Sequence, residues 1–194
     1  NSPMATRIGS VGQLLPGMEA VLVPVAGIER GGVLHVRGPN IMLGYLYYEN
    51  PGELVPPRSE LGPGWHETGD VVEIDEDGFI FILGRMKRFA KVAGEMISLE
   101  VVEKIAVAAS PGFQHAASSR ADERRGEAIV LFTTDPALTR ERLQQAAHAA
   151  GSSELAIPRE IINLPQIPLL GTGKVNYVRL KEEADRINAV ASGA

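Results

Sequence analysis

Three short stretches place polar or charged side chains beside glycines, a pattern typical of functional groups on loops and strand ends. They are WHETGD from Trp65 to Asp70, GRMKRFAKVAGEMISLEVVE from Gly84 to Glu103, and PLLGTGKVNYVRL from Pro168 to Leu180. Asp70 offers a carboxylate that can accept hydrogen bonds from two neighbouring hydroxyl groups. Lys174 offers a point charge on a flexible stem, which suits the stabilisation of negative charge.

Taken singly, these residues have ordinary structural explanations. An aspartate after Thr-Gly, such as Asp70, is most often a turn residue. Arg85, after a glycine at a predicted strand end, is typical of a solvated charge. Lys174 follows Gly-Thr-Gly, but the upstream glycine spacing and the preceding strand of a nucleotide-triphosphatase phosphate loop are missing. Each residue alone therefore favours structure over function.

In this order and spacing, the three stretches resemble the adenylate-forming superfamily of acyl-CoA synthetases, peptide-synthetase adenylation domains and luciferases, over essentially the whole chain. The resemblance implies that Asp70 binds the ribose hydroxyls of ATP and that Arg85 also approaches the nucleotide. It implies that Lys87 is the hinge of a mobile domain and that Gly94 lines a tunnel for a thiol. Lys174 matches the catalytic lysine of the first half-reaction.

The chemistry of that family accounts for the lysine. A carboxylate is a poor electrophile, so the family joins it to the α-phosphate of ATP and then transfers the acyl group to a thiol. Negative charge gathers between carboxylate and phosphate, and losing one preorganised group that stabilises it costs about 10²–10³ in rate, or about 3–4 kcal/mol. The resemblance also implies Mg²⁺ with the full-length enzyme, and a rotation about the hinge that presents first the lysine and then the glycine loop.

A narrower resemblance is to bifunctional 2-acylglycerophosphoethanolamine acyltransferase/acyl-[acyl-carrier-protein] synthetases. It is carried by GPNIMLGYL from Gly38, by GRMKRFAKVAGEMISLE from Gly84, by PLLGTGK from Pro168, and by VNY after Lys174, where acyl-CoA ligases tend to have an arginine-rich run. It implies acyl carrier protein as thiol donor, fatty acid as substrate, and lysophospholipid as the substrate of an upstream domain. It places the parent protein at the cytoplasmic side of the bacterial inner membrane, with this segment soluble. A ligase that joins a fatty acid or other carboxylate to CoA, and a non-catalytic binding module of the same fold, remain alternatives.

Composition narrows the partners. The formal charge is −5 with a pI of about 5.4, which argues against nucleic acid as the main partner. Without cysteine, no thiolate metal site is possible, and no metal site is predicted in this chain. Two basic sets could face an acidic carrier protein or be plain hinge and loop surface: Arg85, Lys87, Arg88 and Lys91, and Arg124 with Arg125.

The elements that carry these residues form two units. Residues 1–84 read as short strands and turns, expected to be the β-rich end of the large adenylation domain, and residues 85–88 as a hinge. Within 1–84, paired apolar runs predict two β-hairpins, at 19–37 and at 71–83, and the prolines and glycines of 51–64 predict a surface loop. Residues 89–194 read as a small mobile α+β lid domain, with helices starting near Ser98, Thr139 and Asn176 and a buried strand at 127–133. A weaker apolar pattern predicts a short strand at 113–118. The whole is predicted to be α+β. Because no stretch matches the family's phosphate loop or acyl pocket, this chain alone is predicted not to catalyse adenylation.

Overall fold

The structure, a computed structural model, describes residues 6–192 of the 194, with the side chains described through residue 187. It divides between Lys87 and Arg88 into two compact units, each described by itself. The segment 85–88, predicted to be a hinge, spans this division, and hinge motion stays a prediction. The predicted α+β class is confirmed.

The first unit is built on a four-stranded antiparallel sheet. In spatial order its strands are β1 (Glu19–Val23), β2 (Gly32–Arg37), β5 (His66–Ile74) and β6 (Ile80–Arg85). Both predicted hairpins form, β1 with β2 and β5 with β6. A separate short ribbon pairs β3 (Tyr45–Leu46) with β4 (Leu54–Val55), so the segment predicted to be a surface loop between residues 51 and 64 includes a strand.

The second unit contains the three α-helices of the described chain. Its elements in chain order are β7 (Phe89–Val92), β8 (Glu95–Ser98), α1 (Leu99–Ala109), β9 (His115–Asp122), β10 (Gly126–Thr133), α2 (Arg140–Ala149), β11 (Glu160–Asn163) and α3 (Tyr177–Ser192). Strand β10 pairs with β9 along its full length, so β7 and β11, which also pair with β10, share its other edge. None of the described helices has the length and apolar composition needed to span a membrane.

Strand β10 is buried on both faces, as its unbroken apolar run predicts. Ile129 and Leu131 pack in a cluster with residues of α1 and α2, whereas Val130 and Phe132 pack with Leu180 and other residues of α3 and its approach. Alternate residues of a strand point to opposite faces, so these two clusters lie on the two sides of the sheet. The loops that leave this sheet are therefore supported by a core on both sides.

All three helices start at the residues that the sequence predicts, but only two of those residues make a capping hydrogen bond. Thr139 accepts a hydrogen bond from the backbone N–H of Arg142 at 3.4 Å and caps α2. Asn176 accepts one from the N–H of Arg179 at 3.1 Å and starts α3. Ser98 stands at the N-cap of α1, but its hydroxyl makes no capping bond and has no hydrogen-bond partner among the described residues.

Candidate functional site

Asp70 and Arg85 form a cross-strand pair in the first unit. They are directly opposite each other on β5 and β6, and Arg85 Nε lies 3.1 Å from Asp70 Oδ1. The Asp70 side chain is 22% exposed and that of Arg85 is 70% exposed. The sequence predicts both as nucleotide-binding residues, and the structure brings them together at the end of β6, away from the turn of the hairpin.

An irregularity in the sheet sets the position of Asp70. His35 pairs with Glu67 and Val33 with Val71, so β5 has two more residues than β2 between these pairs. Gly69 takes up the extra length with a φ of 72°, a value that glycine adopts readily. Thr68 fixes the segment, because its hydroxyl donates to the carbonyl of Leu34 at 2.9 Å and accepts from the N–H of Asp70 at 3.1 Å.

This geometry corrects the turn interpretation of the Thr-Gly-Asp stretch. The stretch lies inside strand β5 rather than in a turn before it. Sequence reasoning missed this because Thr-Gly-Asp has the composition of a turn, whereas the bulge depends on pairing with a strand more than thirty residues earlier.

Lys87 and Arg88 are adjacent in sequence but differ in environment. Lys87 is exposed, in a single 3₁₀ turn over Met86–Arg88. Arg88 is bound inside the second unit, where it donates to Glu103 Oε1 at 2.6 Å and to the carbonyl of Ala117 at 2.8 Å. Arg88 therefore does not belong to a free basic surface, which removes it from the basic set that could face a carrier protein or be plain hinge surface.

Arg88 also connects the start of the second unit to the start of α3. Its guanidinium lies 3.6 Å from the centre of the Tyr177 ring, within cation–π range. The Tyr177 hydroxyl donates to Glu103 Oε2 at 3.4 Å. Burial, and next the charge of Glu103, raise the pKa of Tyr177 above its ordinary value. We call Arg88, Glu103 and Tyr177 the clamp.

Gly94 lies at the tip of the tight β7–β8 hairpin. Val92 pairs with Glu95, so Ala93 and Gly94 are the two loop residues, with φ of 53° and 92°. Two successive positive φ values define the type I′ turn, which favours glycine at the second position. A side chain at Gly94 would meet no atom within 4 Å. The turn therefore gives a conformational reason for the glycine, and the space around it is open.

Lys174 lies on a second tight hairpin. Leu169 and Val175 form a bridge, the N–H of Leu170 donates to the carbonyl of Lys174 at 2.7 Å, and the N–H of Gly173 donates to the carbonyl of Leu170 at 2.8 Å. Gly173 has a φ of 80°, as in a three-residue hairpin loop that ends in a bulge. The backbone of Lys174 is thus fixed while its side chain is exposed, and Tyr177 of the clamp follows within one turn.

Comparisons with known proteins agree on one superfamily. The chain is 33% identical over 165 residues to a 2-hydroxy-7-methoxy-5-methyl-1-naphthoate–CoA ligase of Streptomyces carzinostaticus, a match that covers 84% of this chain and 29% of that protein. It is 31% identical over 184 residues to a long-chain-fatty-acid–CoA ligase of Salmonella typhimurium, covering 91% and 31%. The structure matches that of ATP-bound MatB from Rhodopseudomonas palustris with a TM-score of 0.72, at 26% identity, over 96% of this chain and 38% of that one. No protein-family model matches the chain.

The chain belongs to the adenylate-forming superfamily. It matches the C-terminal part of these proteins and spans about a third of the length of the relatives named above. The predicted resemblance is confirmed at this level, and the bifunctional acyltransferase/synthetase subgroup stays a prediction. The individual roles of Asp70, Arg85, Lys87, Gly94 and Lys174 likewise stay predictions.

Proposed function

We propose that this chain serves, within a longer protein, as the end of the large domain and the mobile domain of an AMP-forming acid–thiol ligase. The observation that supports this most is the presentation of Lys174. A rigid hairpin holds its backbone and leaves its ammonium group in solvent, as a residue that must reach a separate reaction centre requires.

In the first half-reaction, a carboxylate oxygen bonds to the α-phosphorus of ATP, and pyrophosphate leaves. Asp70 would hold the ribose, since Arg85 occupies its Oδ1 and Oδ2 remains to accept hydrogen bonds from hydroxyl groups. The guanidinium of Arg85, largely exposed, would face the phosphates. Lys174 would stabilise the charge that develops between the acid and the α-phosphate. Mg²⁺ would be held with ATP by the full-length enzyme.

In the second half-reaction, a thiol attacks the acyl carbon of the adenylate and AMP leaves. Gly94 would line the path of the thiol. The open space around its hairpin tip fits that role, because a bulky side chain there would project into solvent or into a passing ligand rather than into the core. Lys87, exposed in the turn between the units, would be the residue whose backbone rotates between the half-reactions.

The thiol acceptor is proposed as CoA or acyl carrier protein, with a fatty acid among the acids. The names of both relatives, as CoA ligases, support CoA. The stretch Val175-Asn176-Tyr177, which favoured acyl carrier protein, has structural tasks here. Val175 packs against the cluster that contains Phe132 and Leu180, Asn176 caps α3 and Tyr177 belongs to the clamp. These three residues therefore do not decide between the acceptors.

The finer proposal adds an upstream acyltransferase, a lysophospholipid substrate and a parent protein at the inner membrane. It rests on the sequence resemblance of the stretches from Gly38, Gly84 and Pro168. Assay of the full-length protein with each acceptor, and then with lysophosphatidylethanolamine, tests it directly. Thioester formed only with CoA, and no acyl transfer to the lysophospholipid, would remove this finer proposal and leave the ligase.

The decisive experiment separates the two half-reactions in the full-length protein. Lys174→Ala should lower acid-dependent ATP–pyrophosphate exchange by about 10²–10³ and spare thioester formation from supplied acyl-adenylate. Lys104→Ala, at an exposed lysine on α1, is the matched control and should change neither rate. Equal loss of both half-reactions in Lys174→Ala would refute the assignment. Wild-type exchange at background level would favour the non-catalytic binding module.

A further inference from the structure

The clamp joins four segments of the second unit around one carboxylate. Glu103, on α1, accepts through Oε1 from the guanidinium of Arg88 at 2.6 Å and from the N–H of Ala117, on β9, at 2.8 Å. Its Oε2 accepts from the hydroxyl of Tyr177 at 3.4 Å. Arg88 also donates to the Ala117 carbonyl and lies over the Tyr177 ring. The first residue of the second unit and the first residue of α3 are therefore held by the same pair of elements, α1 and β9.

The two ends of the clamp adjoin the two residues that must move together in the proposed function. Arg88 directly follows Lys87, the proposed hinge, and Tyr177 lies three positions after Lys174. In the clamp, these two neighbours contact each other and share Glu103. A rotation at the hinge therefore turns a body in which the hinge end and the segment after Lys174 are fixed to one carboxylate.

The hairpin that carries Lys174 has little freedom relative to the clamp. We call residues 169–175 the lysine hairpin, after the bridge that closes it. The N–H of Asn176 donates to the carbonyl of Pro168 at 2.8 Å, directly below this bridge. The Asn176 side chain accepts from the N–H of Arg179, so the chain passes from the hairpin straight into α3. Because only two residues separate Lys174 from Tyr177, a displacement of the Tyr177 ring is passed on to the lysine.

The Gly94 hairpin is anchored independently of the clamp. The N–H of Ala93 donates to the carbonyl of Arg125 at 2.8 Å. Arg125 lies in the turn between β9 and β10, so this contact uses none of the clamp residues. Arg88 precedes β7 and Ala93 follows it, which places them at opposite ends of the strand. Loss of the clamp should therefore loosen the lysine hairpin and leave the Gly94 hairpin in place.

We infer that Tyr177 is a positioning residue for Lys174 and acts through its contacts in the clamp. The inference rests on the proposed ligase function, in which Lys174 serves only the first half-reaction. A displacement of about 1 Å near the reacting atoms can lower a rate by about 10²-fold. The proposed function places ATP on Asp70 and Arg85, in the first unit, so a loosened lysine hairpin lowers the rate of adenylation without lowering the affinity for ATP.

Tyr177→Leu in the full-length protein is the main test. Leucine keeps an apolar side chain toward the cluster that contains Phe132 and Leu180, and it removes the aromatic face and the hydroxyl. The kcat of acid-dependent ATP–pyrophosphate exchange should fall by about tenfold or more, with KM for ATP and thioester formation from supplied acyl-adenylate unchanged. Tyr177→Phe keeps the ring over Arg88 and should restore most of the exchange rate. Val178→Ala, at the exposed next position on α3, is the control and should change neither half-reaction.

A double variant separates positioning from a general loss of folded protein. A residue that acts through Lys174 has no effect once the lysine is gone. Tyr177→Leu should therefore not lower the residual exchange rate of Lys174→Ala any further. A general loss of folded protein would lower that residual rate by the same factor as in the wild-type background.

Amide hydrogen exchange in the 194-residue chain measures the loosening without any activity. The N–H groups of Leu170 and Gly173 make the hydrogen bonds of the lysine hairpin, and that of Ala93 anchors the Gly94 hairpin. Tyr177→Leu should raise the hydrogen-exchange rates of Leu170 and Gly173 by about tenfold, because these bonds then open more often. The rate of Ala93 should stay at its wild-type value.

Four results would overturn the inference: an unchanged kcat in Tyr177→Leu, equal loss of both half-reactions in this variant, a further fall in the double variant, or unchanged hydrogen exchange of Leu170 and Gly173. Failure of the proposed function has a different signature. Wild-type ATP–pyrophosphate exchange would then stand at background level, and the positioning role would fall with it.

Discussion

Arg85 and Arg88 provide a matched test of what burial does to an ion pair. They are three positions apart in sequence, and each contacts a carboxylate. In the clamp, the side chains of Arg88 and Glu103 are 12% and 18% exposed, whereas Arg85 is 70% exposed. We expect substitution of Arg88 to destabilise the second unit strongly, and substitution of Arg85 to have little effect on the first.

The magnitude follows from the contacts that are lost. Arg88→Ala removes the bond to Glu103, the bond to the Ala117 carbonyl and the stacking on Tyr177. Removing one partner of a buried ion pair costs about 3–5 kcal/mol. Glu103 keeps its bond from the N–H of Ala117 at 2.8 Å, so we expect about 2–4 kcal/mol. For a unit of about 100 residues this corresponds to a fall in Tm of roughly 10 °C or more. Arg85→Ala, at an exposed pair, should cost about 1 kcal/mol or less.

The chain offers a separate signal for each unit. Its single tryptophan, Trp65, lies in the first unit, and the α-helices of the described chain all lie in the second. Tryptophan fluorescence and circular dichroism at the helix band therefore follow the two units independently during thermal or urea unfolding. Arg88→Ala should lower the midpoint of the helix signal and leave that of Trp65 in place. The reasoning fails if the helix midpoint of Arg88→Ala stays within about 0.5 kcal/mol of wild type, or if Arg85→Ala lowers it equally.

Three further predictions use the same unfolding assays. The pKa of Tyr177 is raised in the folded state, so its contribution to stability is complete below about pH 10 and is lost as the pH rises above that value. Stability of the second unit, followed by the helix signal, should therefore fall less steeply at alkaline pH in Tyr177→Phe than in wild type. The hydroxyl of Ser110, then the N–H of Ala137 and the charge of Arg142, lower the pKa of Asp135. That contribution to stability is present above about pH 4 and is lost at more acid pH. The stability of the second unit should therefore fall less steeply at acid pH in Asp135→Asn than in wild type, and an equal fall would contradict the prediction. Ala93→Asn should raise stability by about 0.5–1 kcal/mol, because asparagine tolerates the φ of 53° better than alanine. A lower helix midpoint in this variant would argue against the type I′ turn.

Much of the fold follows from local sequence patterns. The apolar run of β10 predicts a strand buried on both faces, and the periodic apolar residues after Thr139 and Asn176 predict α2 and α3. Strand β9 is longer than predicted, from His115 to Asp122, because its small residues Ala116 and Ala117 are buried without forming a strong apolar signal. The β7–β8 hairpin was not predicted, since Ala-Gly is a weaker turn signal than Asn-Gly or Asp-Gly.

Part of the candidate site could likewise be predicted from the sequence, and part required the structure. The order of Asp70, Arg85, Gly94 and Lys174 along the chain is a property of the sequence, and it was enough to predict the superfamily that the comparisons confirm. The pairing of Asp70 with Arg85 required the β5–β6 register and the bulge at Gly69. Lys174 reads as a loop lysine, and its support by a bulged hairpin required the backbone hydrogen bonds.

The sequence by itself determined which chemical groups are present and the short-range patterns that place them on strands, turns and helices. Only the tertiary structure decided which arginines are available to a ligand. Arg88 is occupied by Glu103 and Tyr177, while Arg124 and Arg125 stay exposed, although all three are arginines in basic segments. The physical reason is that an ionic side chain takes its character from its burial and its partners. Those partners lie far along the chain, where no local pattern can report them.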